Sequence, residues 1–530
     1  MRRYVVLSIL LLGLDGAAGA AVINVGPSDS YTKIEAAKAG DTVVIAPGTY
    51  KFRVMLSQQG SAAQPIVIKA QDPGNRPVWD LAGKSVSDWP GSYTAGDKGR
   101  GCWQVKGSHY QISGVVFRNC QDSSSAGIRA VNSGPLTVRD CLFENNTNGI
   151  TGSAQGFVVE FSEFRQNGKL SSSGSPTHNI YIYGGVFTLR YSYLHDPLEG
   201  QNIHIRARSA TIEYNWLSRA ASYPADLMSC NYQCGGSGTG PITQKMLLRG
   251  NIIVQHSGGA NLSQFVAMSN DEPGGSSDST GAVSDMELTL IHNTVVGVQL
   301  AAGKTQRLVN MRNDGVGTKV TLHNNIVYQV KELAVAHDPQ TSNWSVSGGN
   351  NWVSTGTPTT NLTGSVVGAS PGFANAAAKD YRTTATSPCV GQAVAVTGLP
   401  DKEYYLDETV TMQYRPRATA GDIGAYEQGN SAAPVGPYGQ PPPPPDGGVP
   451  DLASTDAAAG DGMTALDAAK TGDGAPLDGV SGADAAGSDG RTSGDDGCSC
   501  ALASRPTGGG ALLPGALLLL ALWRRPQREE

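Results

Sequence analysis

The residues best suited to chemistry lie between His178 and Arg219, in the stretch HNIYIYGGVFTLRYSYLHDPLEGQNIHIRARSATIEYNWLSR. Tyr181 and Tyr183 offer flat rings on which a sugar face can stack. Arg206 and Arg208 offer paired donors to a carboxylate. His204 is the side chain whose unperturbed pKa suits proton abstraction near neutral pH. Together these types fit removal of the proton α to a uronate carboxylate, which needs a base and a positive group beside the developing enolate. His204 or Tyr181 is the expected base or acid, and Arg206 the neutraliser. Asn179, Tyr183, Asn202, Arg208, His178 and His195 are the expected substrate contacts, and Asp196 and Asp226 are candidate Ca2+ ligands.

These side chains meet only if the chain coils. Asn179-Ile180-Tyr181-Ile182 recurs as Asn202-Ile203-His204-Ile205, and Leu189-Arg190-Tyr191-Ser192 recurs as Ile212-Glu213-Tyr214-Asn215; both offsets are 23 residues (202 − 179 and 215 − 192). A shared offset marks a repeat. Strand alternation sends Ile180, Ile182, Ile203 and Ile205 to one face and Asn179, Tyr181, Tyr183, Asn202, His204 and Arg206 to the other. Stacked as parallel strands about 4.8 Å apart, Asn179 lies over Asn202, Tyr181 over His204 and Tyr183 over Arg206.

A second repeated position ends the runs ISGV, VRDC, VEFS, LRYS, IEYN, LRGN, LIHN and LHNN, at Val115, Cys141, Ser162, Ser192, Asn215, Asn251, Asn293 and Asn325. Flanking apolar residues keep register with it, which predicts an inward ladder of hydrogen-bonded amides. An unpaired buried amide would cost about 1–3 kcal/mol. Cys141 then becomes a buried free thiol. Insertions from Ala220 to Thr243 and from about Gly258 to Ser284 leave coils beside the candidate site, and loops of that length are usually functional or disordered. Cys230 and Cys234, in the first insertion, either close a small disulfide loop or stay free; Cys102 and Cys120 are a weaker pair.

With 68 Gly in 530 residues, few charges and many short apolar runs, the composition fits one long β-rich body with non-globular ends. A net charge of −6 gives no reason to expect nucleic acid, so an anionic sugar chain must be met by a local basic cluster. Residues 1–20 read as a secretory signal, with the mature chain starting near Ala21. The Pro441 to Pro445 run and the Ala/Asp/Gly/Ser-rich tract to 497 bury too little to fold. The apolar run from Ala511 to Trp523 falls short of the about 20 residues that a membrane span needs.

The segment GDTVVIAPGTY (residues 40–50) followed by PIVIKA (65–70) resembles the opening turns of right-handed parallel β-helix proteins, secreted polysaccharide lyases among them. The likeness covers residues 22–428 and is strongest at HNIYIYGG, at SYLHD with GQNIHIRARSATIEYN, and from Tyr223 to Leu227. That group usually carries a Lys where this chain has Arg206. The segment from Pro371-Gly372-Phe373 to Asp422-Ile423-Gly424-Ala425-Tyr426-Glu427 resembles the closing signature of such proteins, which implies last turns that cap the open end. The tail, with Gly497-Cys498-Ser499-Cys500 and Arg524-Arg525, resembles the C-terminal sorting tail of myxobacterial surface proteins, which implies a cell-envelope sorting machinery as partner and removal of the tail. An ordinary tail anchor is the alternative.

The expected architecture is therefore all-β: a signal peptide (1–20), a right-handed parallel β-helix solenoid (21–428), a disordered linker (429–497) and a short hydrophobic tail (498–530). The expected function is that of an exported, monomeric protein of the cell surface, outer membrane or medium that binds an acidic polysaccharide and cleaves it by β-elimination. Two alternatives share the scaffold. Glycoside hydrolysis needs two carboxyls about 5 to 9.5 Å apart, which only Asp196, Glu199 and Asp226 offer near the ladder. A noncatalytic sugar-binding or adhesive role needs neither, because fold alone confers no activity.

Overall fold

The computed structural model describes residues 19–439 apart from 86–87, 91–92, 94–98, 123–124, 169–176, 231–241, 260–261, 270–282, 301–303, 313–316, 337–342 and 406–411. Most of the expected signal segment (1–18), most of the linker and the tail fall outside the described residues. So do much of both insertions. Among the described residues, no helix is long and apolar enough to cross a membrane.

Each turn of chain lays one strand in each of three sheets and returns to the first. Sheet A takes strands such as Phe157–Glu160, Val186–Arg190 and Ser209–Glu213. Sheet B takes Glu163–Arg165, Tyr193–His195 and Trp216–Ser218. Sheet C takes Ile180–Tyr183, Ile203–Arg206 and Ala225–Met228. Among the described residues the three sheets hold 13, 12 and 10 strands. Each strand pairs parallel with its counterpart one coil away, as in Tyr181 beside His204. The fold is a right-handed parallel β-helix, the hand that parallel crossovers take.

The inward half of each strand supplies the core. Val138, Val159, Leu189, Ile212 and Leu248 stack in register along sheet A, and Ile150, Ile180 and Ile203 along sheet C, all buried. Sheet B adds a file of rings, with Phe117 on Phe143 at 5.1 Å and Phe143 on Phe164 at 4.7 Å. Near the N-terminal end the helix Thr32–Glu35 buries Ile34 against the core, and Glu35 accepts the Met55 backbone N–H at 2.7 Å. That contact protects the edge strand of sheet C, Val54–Leu56.

Sheets A and B join through a two-residue bend whose second residue points inward and builds the ladder. The backbone N–H of Asn215 donates to Asn251 Oδ1 (3.1 Å), that of Asn251 to Asn293 Oδ1 (3.0 Å) and that of Asn293 to Asn325 Oδ1 (2.9 Å). Asn351 adds one rung beyond those visible in the sequence, accepting from Asn325 N at 3.0 Å. Ser162 and Ser192 carry the same chain of bonds toward Cys141, which is free and buried, its thiol pKa pushed up to about 12 first by burial. Cys102 and Cys120 form a disulfide with Cα atoms 6.0 Å apart. Cys230 is disulfide-bonded, while Cys234 lies outside the described residues.

Residues 371–439 depart from expectation. They run back along the outside of the coil, where the closing signature implies a cap on its end. Asn350 Nδ2 donates to Gln392 O (3.2 Å), Asn324 Nδ2 to Val394 O (2.9 Å), Tyr214 Oη to Asp401 Oδ1 (3.0 Å) and Tyr438 Oη to Asp140 Oδ2 (2.7 Å). The physical reason lies on sheet B, whose outward file Tyr193, Trp216, Ile252, Thr294, Ile326 and Trp352 is apolar at every rung but one and would otherwise meet water. Tyr381, Tyr404, Tyr426, Cys389 and Ile423 cover it. Packing continues through Tyr438, past the boundary expected at 428.

This strap brings an acid sensitivity. His292 sits in the bend beneath it, fully buried, with Nε2 3.0 Å from Asn324 Nδ2. Its pKa is pushed down from 6.5 to about 3, first by burial and then by the positive Arg417. The unfolded chain therefore binds the proton more readily, so this contribution to stability is whole above about pH 6.5 and is lost toward pH 3, at up to about 1.4 kcal/mol per unit. The variant His292→Asn, which matches Asn324 and Asn350 in the same file, should move the acid-unfolding midpoint to lower pH in a fluorescence titration. An unmoved midpoint would show that His292 does not set the acid limit.

Candidate active site on sheet C

The outer face of sheet C receives the alternate residues of three successive coils. Tyr181 pairs with His204 and Tyr183 with Arg206; the next strand sets Asp226 beside His204. Their neighbours Ile180, Ile182, Ile203, Ile205 and Leu227 fill the core, which fixes the polar set on the outside. Thr151 continues the file below Tyr181.

His204 is the centre of this set. Its ring stacks on His178 at 4.8 Å and meets the Tyr181 ring edge-on at 4.6 Å. Arg206 Nε donates to His204 Nε2 at 3.2 Å, which places the ring lone pair on Nε2 and the ring proton on Nδ1. Nδ1 lies 3.0 Å from Asp226 Oδ2, within ion-pair distance but out of line for a hydrogen bond. His178 Nδ1 accepts the Gln201 backbone N–H at 3.3 Å. Burial, then the neighbouring His204 and Arg206, hold the His178 pKa well below the usual range, so that ring stays neutral. Tyr183 meets Tyr181 at 5.7 Å, and both rings are half-buried.

The set is more enclosed than a surface ladder would be. His204 is 2% exposed, and Arg206 and Asp226 are each 3% exposed, so only the two tyrosines open toward solvent. Arg208 is exposed at the turn between sheets C and A, and its backbone N–H donates to Gly185 O at 2.9 Å.

Several expected members lie elsewhere. Asn179 and Asn202 point inward and are fully buried, because the alternation breaks at the corner through which the chain enters sheet C. There Asn146, Asn167, Asn179 and Asn202 make a second ladder, with Asn179 Nδ2 donating to Asn202 Oδ1 at 3.0 Å and Asn202 Nδ2 to Ser218 O at 3.0 Å. His195 lies on sheet B, between Glu163 (3.2 Å) and Asp196 (2.6 Å). Asp196 takes both an Nε (2.7 Å) and an Nη2 (2.8 Å) bond from Arg219. Burial lowers the His195 pKa, but the ring's hydrogen bonds to Asp196 and Glu163 and their negative charges outweigh it and raise the pKa.

The two residues expected to hold Ca2+ are not neighbours. Asp196 and Asp226 sit on different sheets, each already turned to cationic or ring-nitrogen partners. Among the described residues no three His, Cys, Asp or Glu side chains converge as a metal site. Asp226 is better read as the neighbour of His204, a relation its spacing of 22 residues (226 − 204) already carried in the sequence.

A family described as Chondroitinase B matches residues 26–133, the opening coils, and stops short of the His204 cluster. No curated protein matches the chain in sequence. Among solved structures the chain is similar to the pectate lyase Pel9A, at 14% identity and TM-score 0.48, covering 78% of this chain and 97% of that one. It is also similar to an alginate lyase from Paenibacillus sp. str. FPU-7, at 16% identity and TM-score 0.44, over 60% and 98% of the two chains, and to a rhamnogalacturonan lyase, at 14% identity and TM-score 0.35, over 63% and 87%.

Proposed function

We propose that the chain acts on an acidic polysaccharide and cleaves it by β-elimination at the sheet C cluster. The observation that carries this reading is the Asp226–His204–Arg206 arrangement, a ring nitrogen with its lone pair on the side of a guanidinium and its proton on the side of a carboxylate. The Chondroitinase B match over the opening coils supports the same class of chemistry.

In this reading Arg206 leaves His204 for the uronate carboxylate, a better partner because the contact is charged on both sides. His204 Nε2, so released, takes the proton at C5 of the uronate. The C5–H electron pair forms the C4–C5 double bond, and the C4–O bond breaks with its pair going to the departing sugar oxygen. The Tyr181 hydroxyl protonates that oxygen, and His204 and Tyr181 then exchange protons with solvent. Asp226 steadies the imidazolium formed on the way. Arg206, paired with the carboxylate, stabilises charge that develops at C5. Neutral His178, stacked behind His204, adds no positive charge that would oppose its protonation.

A second reading rests on the burial of the same groups. With His204 and Arg206 only 2% and 3% exposed, the cluster also suits a noncatalytic surface whose tyrosines hold a sugar chain. Hydrolysis is less favoured, because Asp226 is the one acid that the described residues place in this cluster. The full-length protein, incubated with alginate, pectate and glycosaminoglycans, separates these readings. Elimination gives new ultraviolet absorbance, and hydrolysis gives reducing ends without it. Retention on a polysaccharide column with neither signal identifies a binder and contradicts the proposal.

A further inference from the structure

Toward the C-terminal end of the coil, the corner between sheets B and C holds a cavity of about 490 Å3. Its polar lining includes Lys304, Lys331, Gln299, Gln329, Tyr328 and Ser354, with Gln306 and Thr355 beside them and short apolar side chains between, and no acidic residue lines it among the described residues. The nearest acid in sequence, Glu332, is committed to Arg307 at 2.8 Å. The walls are fixed from behind. Gln306 is 1% exposed; its side-chain oxygen accepts the Val298 N–H at 3.2 Å and its amide donates to Leu262 O at 2.8 Å. Its backbone oxygen accepts the Lys331 N–H at 3.0 Å. Ser354 Oγ accepts the Gln329 N–H at 2.8 Å, and Thr357 Oγ1 donates to Val330 O at 2.6 Å.

The place of the cavity matters as much as its lining. His178 lies in the same kind of corner, leading from sheet B into sheet C, several coils earlier. Along sheet C the strand of His204 is followed by Ala225–Met228, Gln264–Ser269, Arg307–Arg312 and Glu332–Ala336. At about 4.8 Å per strand, the cavity lies roughly 14 to 19 Å from His204 along the coil axis. Two ammonium groups, three side-chain amides, the hydroxyls of Ser354 and Thr355 and one tyrosine ring give a lining suited to a carboxylated sugar, whose charge, hydroxyls and flat face each find a partner.

We infer that this cavity is a distal subsite that holds an anionic sugar residue of the same polysaccharide chain whose bond lies at His204. The inference rests on the reading of the His204 cluster as a site for acidic polysaccharide. It makes affinity depend on chain length: an oligouronide long enough to reach from His204 to Lys304 and Lys331 gains a second anchor, and a shorter one does not.

Calorimetric titration of the full-length His204→Gln protein with oligouronides of graded length, at low salt, tests this without turnover. Affinity should rise in a step once the chain spans the gap. Adding Lys304→Gln and Lys331→Gln should remove that step, about ten-fold in Kd or more, and leave short oligomers unaffected. Lys69→Gln, an exposed lysine on sheet A, should leave the step in place. A step that survives in the double lysine variant overturns the subsite alone. No binding of any oligouronide at any length overturns both the subsite and the reading of the cluster on which it rests.

Discussion

Replacing His204 by Gln should lower the rate of polysaccharide cleavage by about 10² to 10⁴ while leaving the thermal unfolding transition nearly in place. Glutamine keeps one acceptor for Arg206 and one donor near Asp226, so both charged neighbours retain a partner within the enclosure. What it loses is a nitrogen that can hold the substrate proton. Alanine at the same position is a less clean test, because it leaves Asp226, 3% exposed, beside an empty space. Arg206→Ala should also abolish turnover, through loss of the group that meets the carboxylate. An unchanged rate in either variant would remove that residue from the reaction.

The second large effect is on stability, and it belongs to the ladder. Asn293 Nδ2 donates to Leu248 O and to Asn325 Oδ1, both at 2.9 Å, while its Oδ1 accepts the backbone N–H (3.0 Å) and side-chain amide (2.9 Å) of Asn251. Asn293→Ala orphans two buried donors on Asn251 and removes a bond to the Leu248 carbonyl, and should destabilise the protein by about 3–5 kcal/mol in urea unfolding. Asn293→Ser should cost less, because Ser192 shows that a hydroxyl at this place accepts the preceding N–H (3.1 Å) and donates to the carbonyl two residues back (2.9 Å). A loss below about 1 kcal/mol for the alanine variant would mean that the stacked apolar files hold the coil without the amides.

The coil was legible in the sequence for a physical reason. Strand alternation and a constant offset act together, so a single slipped residue would have turned Ile180, Ile182, Ile203 and Ile205 out to water. That is why Tyr181 beside His204 and Tyr183 beside Arg206 emerge from spacing alone. Alternation stops at corners, however. Asn179 and Asn202 sit one residue before their strands, at the bend, and turn inward to satisfy the carbonyls of His195 and Ser218. His195 and Asp196 are close to the cluster in sequence but belong to the preceding sheet, where Glu163 and Arg219 hold them.

The strap was hidden by a different limit. Its motifs resemble a closing signature, yet where it packs is decided by the outward residues of sheet B, a file of Tyr193, Trp216, Ile252, Thr294, Ile326 and Trp352 separated by more than twenty positions at each step. Reading that file as an apolar surface in need of cover would have located the strap. The enclosure of His204 and Arg206 had no such signal, because burial on the outer face depends on what the rest of the chain lays over it.

Mass spectrometry of the cleavage products bears most directly on the central proposal. If His204 works as a base with Arg206 on the carboxylate, each new non-reducing end will be lighter by one water than a hydrolytic end and will carry a double bond, and the His204→Gln protein will yield none. Products that have gained a water, or polymers bound yet intact, would contradict the elimination.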